Sequence, residues 1–307
     1  MMKAIVYTEF GNSDVIKIIE TEKPTINDDE VLIKSYAVGV NPADIKYRKG
    51  LMQQRLPVTL PYIPGLDVAG IIEAVGSNVY RLKVGDKVFG GKHGNTYAEY
   101  VSLKESDTSI IPSNVSFNEA AALVVPLVTA YSFLIENGAV KKGQRLFIQG
   151  ITGGTGQVML QMAKSLGLYV IGTASTNGIS LVKSLGADEV YDYKDENVTN
   201  LVKNIDLVID LVGGETQVNS FKTLKKGGKL FSGAMPPSQD IAKEYDVEAK
   251  FISSTYSYKK LDYGRQLVED GIIKPQHITA LKLEEAAKAQ DLLSKGGING
   301  KVVLEIN

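Results

Sequence analysis

The sequence predicts an α/β protein in two parts, a small β-rich barrel followed by a doubly wound parallel sheet. Three observations predict it. About the first hundred residues carry short apolar or alternating runs at close spacing, broken by turn residues. Beyond them, strand-like and helix-like segments alternate. Where that alternation begins, an apolar run leads directly into Gly150-Ile151-Thr152-Gly153-Gly154-Thr155-Gly156, and a helical pattern follows it.

In order along the chain, residues 3–7, 15–19, 31–37, 68–75, 87–89 and 97–101 read as strands. Gly11-Asn12, Asn27-Asp28-Asp29, Gly76-Ser77-Asn78 and Gly85-Asp86 separate them as turns. Strands this short and frequent suggest a barrel rather than βαβ units. The character then changes. Ser116-Phe117-Asn118-Glu119 is a capping-box pattern opening an alanine-rich helix, which Pro126 is expected to kink or break. A second helix is expected over about residues 127–137, with Gly138 as its stop.

The glycine run follows. Leu146-Phe147-Ile148 reads as a buried strand, and after the glycines Val158, Met159, Met162, Ala163 and Leu166 share one helical face. Gly167 supplies the helix stop, and residues 169–173 read as the next strand. Strand, glycine turn, helix, strand is a βαβ unit whose helix N-terminus attracts anions through free N–H groups and the helix dipole. Ile151 stands where a GxGxxG run would have its first glycine, so the strand before and the helix after carry the dinucleotide reading. Thr152, Gly153, Gly154, Thr155 and Gly156 are the expected pyrophosphate holders. No acidic residue lies between Gly156 and Asp188, and the second strand runs out into Ser175-Thr176-Asn177-Gly178. NAD sites usually place a carboxylate there for the ribose 2′-hydroxyl. Small polar donors instead suit a 2′-phosphate, so the expected cofactor is NADPH, with Ser175 and Asn177 at the phosphate.

Further on, a helix is expected to end near Leu185-Gly186, followed by a strand near Val190 and a helix over residues 198–203. Residues 206–212 form the strongest strand, bracketed by Asp206 and Asp210 as structural residues at its ends. A helix then reaches Leu224, Lys225-Lys226-Gly227-Gly228 reads as a turn, and residues 229–232 as a strand. Residues 283–293 form a helix with Glu284-Glu285 at its positive end. The last strand, 301–306, is expected to return to the first domain.

Composition excludes several chemistries. The chain has 307 residues, a formal net charge of −1, no cysteine, and only His93 and His277 as histidines. Disulfides, thiolate catalysis and Cys-ligated zinc are therefore out, and so is a histidine-rich metal site. The charge balance calls for neither nucleic acid nor an anionic membrane. The N-terminus lacks an apolar signal core, and no segment is expected to be long enough to span a bilayer, so a cytoplasmic protein is expected.

Seven motifs together resemble one family. They are Val40-Asn41-Pro42-Ala43-Asp44, Pro64-Gly65-Leu66-Asp67-Val68-Ala69-Gly70, Val84-Gly85-Asp86-Lys87-Val88, Gly94-Asn95-Thr96-Tyr97-Ala98-Glu99-Tyr100, the glycine loop, Leu185-Gly186-Ala187-Asp188 and Gly300-Lys301-Val302-Val303-Leu304. Across essentially its whole length the chain resembles a zinc-free member of the medium-chain dehydrogenase/reductase superfamily, in its NADPH:quinone oxidoreductase (zeta-crystallin-like) branch. The resemblance implies a GroES-like barrel domain of residues 1–122 with 272–307. Between them it implies a Rossmann domain of residues 123–271, an active site in the cleft, and a homodimer. It also implies roles. Asn41 is a polar contact to substrate or nicotinamide, and Asp44 an organiser of its loop. Thr129 is similar to a family threonine near the nicotinamide, with a hydroxyl bonded to its own helix backbone as the alternative. Tyr193 matches a tyrosine that touches the adenosine phosphate, and Ser232, Gly233 and Ala234 line the nicotinamide end. Lys46 replaces a tyrosine of several relatives and is either a proton donor or a solvated surface lysine. Tyr47 is the fallback donor, or a packing aromatic. His93 reads as a lone exposed histidine, and His277 carries no functional signal. The family often has a lysine after the second nucleotide strand; Gly178 and Ile179 occupy that region here, with Lys183 and Lys194 as substitutes.

Zinc-dependent relatives hold their metal with Cys, His and Cys, and the aligned positions here are Asn41, Leu66 and Val125. Without zinc the reaction is restricted. A bound zinc polarises a carbonyl by several kcal/mol, whereas hydrogen bonds involving a charged partner supply about 1–3 kcal/mol each. Quinones and α,β-unsaturated carbonyls are electrophilic enough to take hydride without a metal. The expected function is an NADPH-dependent reductase of such acceptors. The alternatives are an enoyl-thioester or alkenal double-bond reductase, and a non-catalytic NADPH-binding protein.

Overall fold

A computed structural model of the chain describes residues 1–195 and 198–306. In chain order the first elements are β1 (Met2–Val6), β2 (Lys17–Thr21), β3 (Glu30–Val40), α1 (Pro42–Arg48), β4 (Asp67–Val75), β5 (Lys87–Gly91), β6 (Tyr100–Lys104), β7 (Thr108–Ile110) and α2 (Phe117–Tyr131). Then come β8 (Arg145–Gln149), α3 (Gly154–Ser165), β9 (Tyr169–Ala174), α4 (Ile179–Ser184), β10 (Glu189–Asp192), α5 (Val198–Leu201), β11 (Ile205–Asp210), α6 (Gly214–Ser220), β12 (Leu224–Ser232), α7 (Gln239–Glu244) and β13 (Glu248–Phe251). The last are α8 (Tyr258–Glu269), β14 (Ile278–Lys282), α9 (Ala286–Lys295) and β15 (Lys301–Glu305).

The chain divides into two compact units. The first holds Met1–Val125, Tyr256–Asp270 and Pro275–Asn307; the second holds Pro126–Thr255 and Gly271–Lys274. Helix α8 therefore belongs with the first unit, although residues up to 271 were expected in the nucleotide domain.

In the first unit β3 is the hub. It pairs antiparallel with β4, β6 and β15, and β15 in turn lies parallel to β14. The last strand thus returns to the first unit as expected. The sheet closes over Val31, Ile33, Val38, Val68, Val88, Val101, Val302 and Leu304, all buried. In the second unit six strands run parallel in the order β10-β9-β8-β11-β12-β13. The order reverses between β8 and β11, the switch point at which doubly wound sheets bind ligands outside the strand C-termini. Its core includes Phe147, Ile171, Val208, Phe221 and Leu230.

Four expectations need correction. Residues 42–48, expected as a loop, form α1: Pro42 takes the first helical position, where its missing N–H costs nothing. Of the kink or break expected at Pro126, the break does not occur: α2 runs through it to Tyr131, a π-helical turn, Ser132–Asn137, continues it, and the run stops at Gly138 as expected. Burial of Ala120, Ala121, Ala122, Leu123, Val124, Leu127, Val128 and Ala130 outweighs the roughly 3 kcal/mol a mid-helix proline costs. The combined run Phe117–Asn137 has 21 residues and is apolar enough to cross a membrane by length and composition, but 67% of its most apolar window is buried inside the protein. Finally, Lys225-Lys226-Gly227-Gly228 is not a turn between elements. It lies inside β12, as the irregularity where the pairing with β11 shifts from Ile205↔Leu224 to Leu207↔Lys229. The capping box at residue 116 is present: Glu119 Oε2 accepts from Ser116 N (2.8 Å), and Ser116 Oγ accepts from Glu119 N (3.3 Å).

Candidate functional site

Of the expected cofactor residues, those of the 152–156, 175–177, 193 and 232–234 stretches follow strands of the parallel sheet, at its C-terminal edge, whereas Asn41 caps α1 and Thr129 lies on α2. Residues 150–153 link β8 to α3, Gly153 is the N-cap of that 12-residue helix, and Gly154, Thr155 and Gly156 form its first turn. The first N–H groups of a helix have no partner within it, so they face whatever sits at its end. Gly156 has to be glycine. A Cβ there would lie 2.3 Å from the Gly150 carbonyl oxygen and 2.7 Å from Ile151 Cα, both backbone. A Cβ on Gly153 would meet nothing nearer than 3.5 Å, so the face above the helix start is open. This close turn leaves the start of α3 open to an anion of the size of a pyrophosphate.

Beyond β9, Ser175 is half-buried and caps the 3-10 turn Thr176–Gly178, while Asn177 is exposed. The methyl of Thr152 packs on Gly178, so the loops after β8 and β9 touch. Tyr193, 60% exposed, donates its backbone N–H to Ala174 O (3.0 Å), which brings it to the same edge. One carboxylate also arrives there that reading the β8–β9 stretch alone could not reveal. Asp192 pairs with Ala174 across β10 and β9, accepts from Thr176 Oγ1 (2.5 Å) and from Lys194 N (3.0 Å), and is held below the usual carboxylate range first by the Thr176 hydroxyl.

Further along the edge, Ser232 ends β12. Its hydroxyl donates to Asp210 Oδ2 (2.7 Å) and accepts from Ala234 N (3.1 Å) and Met235 N (3.3 Å). Asp210 is fully buried and also takes Val212 N, Gly213 N and the Gln217 amide. It pins the loops after β11 and β12 together, the structural role its position suggested. Ser232 shapes that loop, and Gly233 and Ala234 follow in it. Thr129 sits half-buried on α2.

In the first unit, α1 anchors a buried polar cluster. Asp44 reaches back so that its Oδ2 accepts from Asn41 N (2.8 Å) and from Tyr97 Oη (3.0 Å). It organises a helix start rather than a loop. Asn41, 2% exposed, donates from Nδ2 to Asp67 Oδ2 (2.8 Å) and to Gly39 O (3.4 Å), and its Oδ1 accepts from Lys301 Nζ. Lys301 and Asp67 form an ion pair at 3.5 Å with side chains 7% and 0% exposed. Both ends of the Asn41 amide are therefore engaged inside the protein. Burial raises the pKa of Asp67, and Lys301 opposes that rise. Burial likewise lifts Asp44 to about 7, against the pull of its bond from Asn41 N. Among the described residues Asp44 Oδ1 has no partner, which adds to the difficulty of charging it. Lys46 is half-buried and engaged within the protein. Tyr47 is 4% exposed, and its Oη lies 3.5 Å from Nδ1 of the exposed His93.

Reasoning from sequence missed Asp67, Lys301 and the link from Tyr47 to His93. The available signal was a charge at the end of an apolar strand in each of Asp67-Val68-Ala69 and Lys301-Val302-Val303. Of the three positions aligned with zinc donors, Asn41 is bonded as above, Leu66 is buried and Val125 is apolar. Among the described residues no group of three or more His, Cys, Asp or Glu side chains is arranged to hold a metal.

Residues 27–114 match the alcohol dehydrogenase GroES-like domain, and residues 185–304 match the zinc-binding dehydrogenase family. The chain is 32% identical over 323 residues to the human quinone oxidoreductase, covering 99% of this chain and 98% of that one. It is 36% identical over 250 residues to the NADPH-dependent alkenal/one oxidoreductase, chloroplastic, of Arabidopsis thaliana, covering 77% of this chain and 64% of that one. Among solved structures, the quinone oxidoreductase from Coxiella burnetii superposes with a TM-score of 0.92 at 32% identity, covering 100% of this chain and 99% of that one.

Proposed function

We infer function from kinship: the chain belongs to the quinone oxidoreductase branch of the medium-chain dehydrogenase/reductase superfamily. It is an NADPH-dependent oxidoreductase that passes hydride to quinones or other activated α,β-unsaturated carbonyls. The observation that carries this reading is the donor set at the three metal positions: an amide tied to Asp67 and Lys301, and two aliphatic side chains. Such a site leaves the acceptor to supply its own electrophilicity. The reading of the acceptor as an alkenal is favoured by the likeness to the plant alkenal/one oxidoreductase and uses the same residues.

Thr152, Gly153, Gly154, Thr155 and Gly156 hold the pyrophosphate, Ser175 and Asn177 the 2′-phosphate, and Tyr193 the adenosine phosphate. Thr129, Ser232, Gly233 and Ala234 line the nicotinamide end. When bound, the reduced nicotinamide supplies hydride. Asn41 and Asp44 act as the scaffold of the acceptor side, through the start of α1. We place the enzyme in the cytoplasm as a homodimer.

The cofactor assignment is tested by steady-state turnover of a para-quinone with NADPH and with NADH. We expect kcat/KM to favour NADPH by tenfold or more. Asp192→Asn removes a charge beside the expected phosphate and should widen the ratio about fivefold. Equal use of the two cofactors by the wild type would overturn the NADPH assignment.

A further inference from the structure

We propose that His93 donates an Nε2–H hydrogen bond to the acceptor oxygen on which negative charge collects, and that Tyr47 is the positioning residue that fixes this tautomer. The proposal deepens the reductase reading above and rests on it.

The two side chains meet from separate elements of the first unit. Tyr47 is on α1, one turn beyond Asp44, and His93 is in the loop after β5. Tyr47 Oη and His93 Nδ1 are 3.5 Å apart, and among the described residues neither has another hydrogen-bond partner. The direction of that bond follows from burial. Tyr47 is 4% exposed, so a phenol proton aimed anywhere else would be left unsatisfied, at about 1–3 kcal/mol. Donation to Nδ1 satisfies it and leaves the imidazole proton on Nε2. His93 is exposed, so Nε2 is the nitrogen that can reach a small molecule.

Protonation states agree with that direction. Burial first, and then the Asp44 charge, raise the pKa of Tyr47, so it keeps the proton it must donate. The protein packed around His93 lowers its pKa, which favours the neutral ring at physiological pH. A neutral imidazole N–H is a good partner for a developing oxyanion, because it has no charge to be screened before the reaction starts.

The ring is also held in place. Tyr256 meets His93 edge-on with centroids 5.8 Å apart, and Tyr62 lies 6.2 Å from Tyr47. Two glycines let these tyrosines close in. A Cβ on Gly91 would lie 2.4 Å from Tyr256 Cε1, and one on Gly94, whose φ is +81°, would lie 2.5 Å from the Tyr62 hydroxyl.

The test has two arms. With only two histidines in the chain, the ring nitrogens of His93 can be read by 15N NMR on the protein without acceptor. We expect the Nε2–H tautomer in the wild type and loss of that preference in Tyr47→Phe. In turnover of a para-quinone with NADPH, His93→Ala should lower kcat by about tenfold to a hundredfold with KM little changed, as for loss of an oxyanion donor. His93→Gln, which keeps an N–H, should recover part of it. Tyr47→Phe should cost less, and His93→Ala with Tyr47→Phe should fall no further than His93→Ala alone. An Nδ1–H tautomer in the wild type, an unchanged kcat in His93→Ala, or multiplied losses in the double variant would each overturn the proposal. A wild type that reduces neither quinone nor enone would instead sink the reductase reading, while the tautomer measurement would still stand.

Discussion

Lys301→Met is expected to destabilise the protein by about 3–5 kcal/mol, measured as a lower denaturant midpoint with an unchanged slope. Lys301 is the only cation bonded to Asp67 among the described residues, and Asp67 is completely buried. Taking away the ammonium strands a carboxylate in the core and also removes the donor to Asn41 Oδ1. The loss should grow with pH. Burial already holds the Asp67 pKa above its ordinary value, and without Lys301 the largest opposing influence is gone, leaving chiefly the bond from Asn41. Asp67 would then be protonated when folded and charged when unfolded over a wider range, and folding weakens as pH rises through that range. Replacing both partners with apolar residues, Lys301→Met with Asp67→Leu, should recover only part of the loss: no charge is stranded, but the buried Asn41 amide loses a partner at each end. A single variant within about 1 kcal/mol of the wild type at pH 8 would contradict the account of this cluster.

Asp44→Asn is expected to do the reverse and stabilise the protein at alkaline pH. The carboxyl titrates near 3.8 when unfolded and at about 7 when folded. Between those values the folded state binds more protons, so stability falls as pH rises through this window and stays low above it. The separation corresponds to of order 4 kcal/mol, lost in full by pH 8. Asparagine keeps an oxygen to accept from Asn41 N and Tyr97 Oη and has no charge to bury. The variant should therefore show a flatter stability profile between about pH 4 and 7 and exceed the wild type at pH 8, by equilibrium urea unfolding. An unchanged profile would mean that Asp44 is not the titrating group. Because Asp67 also raises the Asp44 pKa, variants at 301 and 44 should not be additive.

Local patterns carried much of the fold into the sequence. Strand, glycine turn and helix at residues 146–166 are a contiguous signal, and the structure has β8, a 150–153 turn and α3 there. The capping box at Ser116 is equally local, and so is the apolar run that became β15. What failed depended on context. Pro126 is a helix breaker by propensity, but α2 is buried enough to override it. Lys225-Lys226-Gly227-Gly228 has turn composition, yet pairing with β11 draws it into a strand. Much of residues 235–282, with α7, β13, α8 and β14, had no pattern clear enough to assign. The site was legible in its motifs and not in its contacts. Asn41 stands out beside Pro42, but its partners are 26 and 260 residues away in the chain, and no spacing rule connects them. The Tyr47–His93 contact spans 46 residues between two different elements. Each residue alone reads as packing or surface, and only the fold joins them.

The central claim is that a donor set without thiolate or imidazole metal ligands handles only acceptors that are electrophilic in their own right. The most direct test follows nicotinamide absorbance with a para-quinone, a short 2-alkenal and, in the oxidative direction with NADP⁺, ethanol, each with and without a chelator. The account predicts rapid NADPH loss with the quinone or the alkenal, no effect of the chelator, and negligible oxidation of ethanol. Brisk ethanol oxidation that persists in the chelator would contradict it.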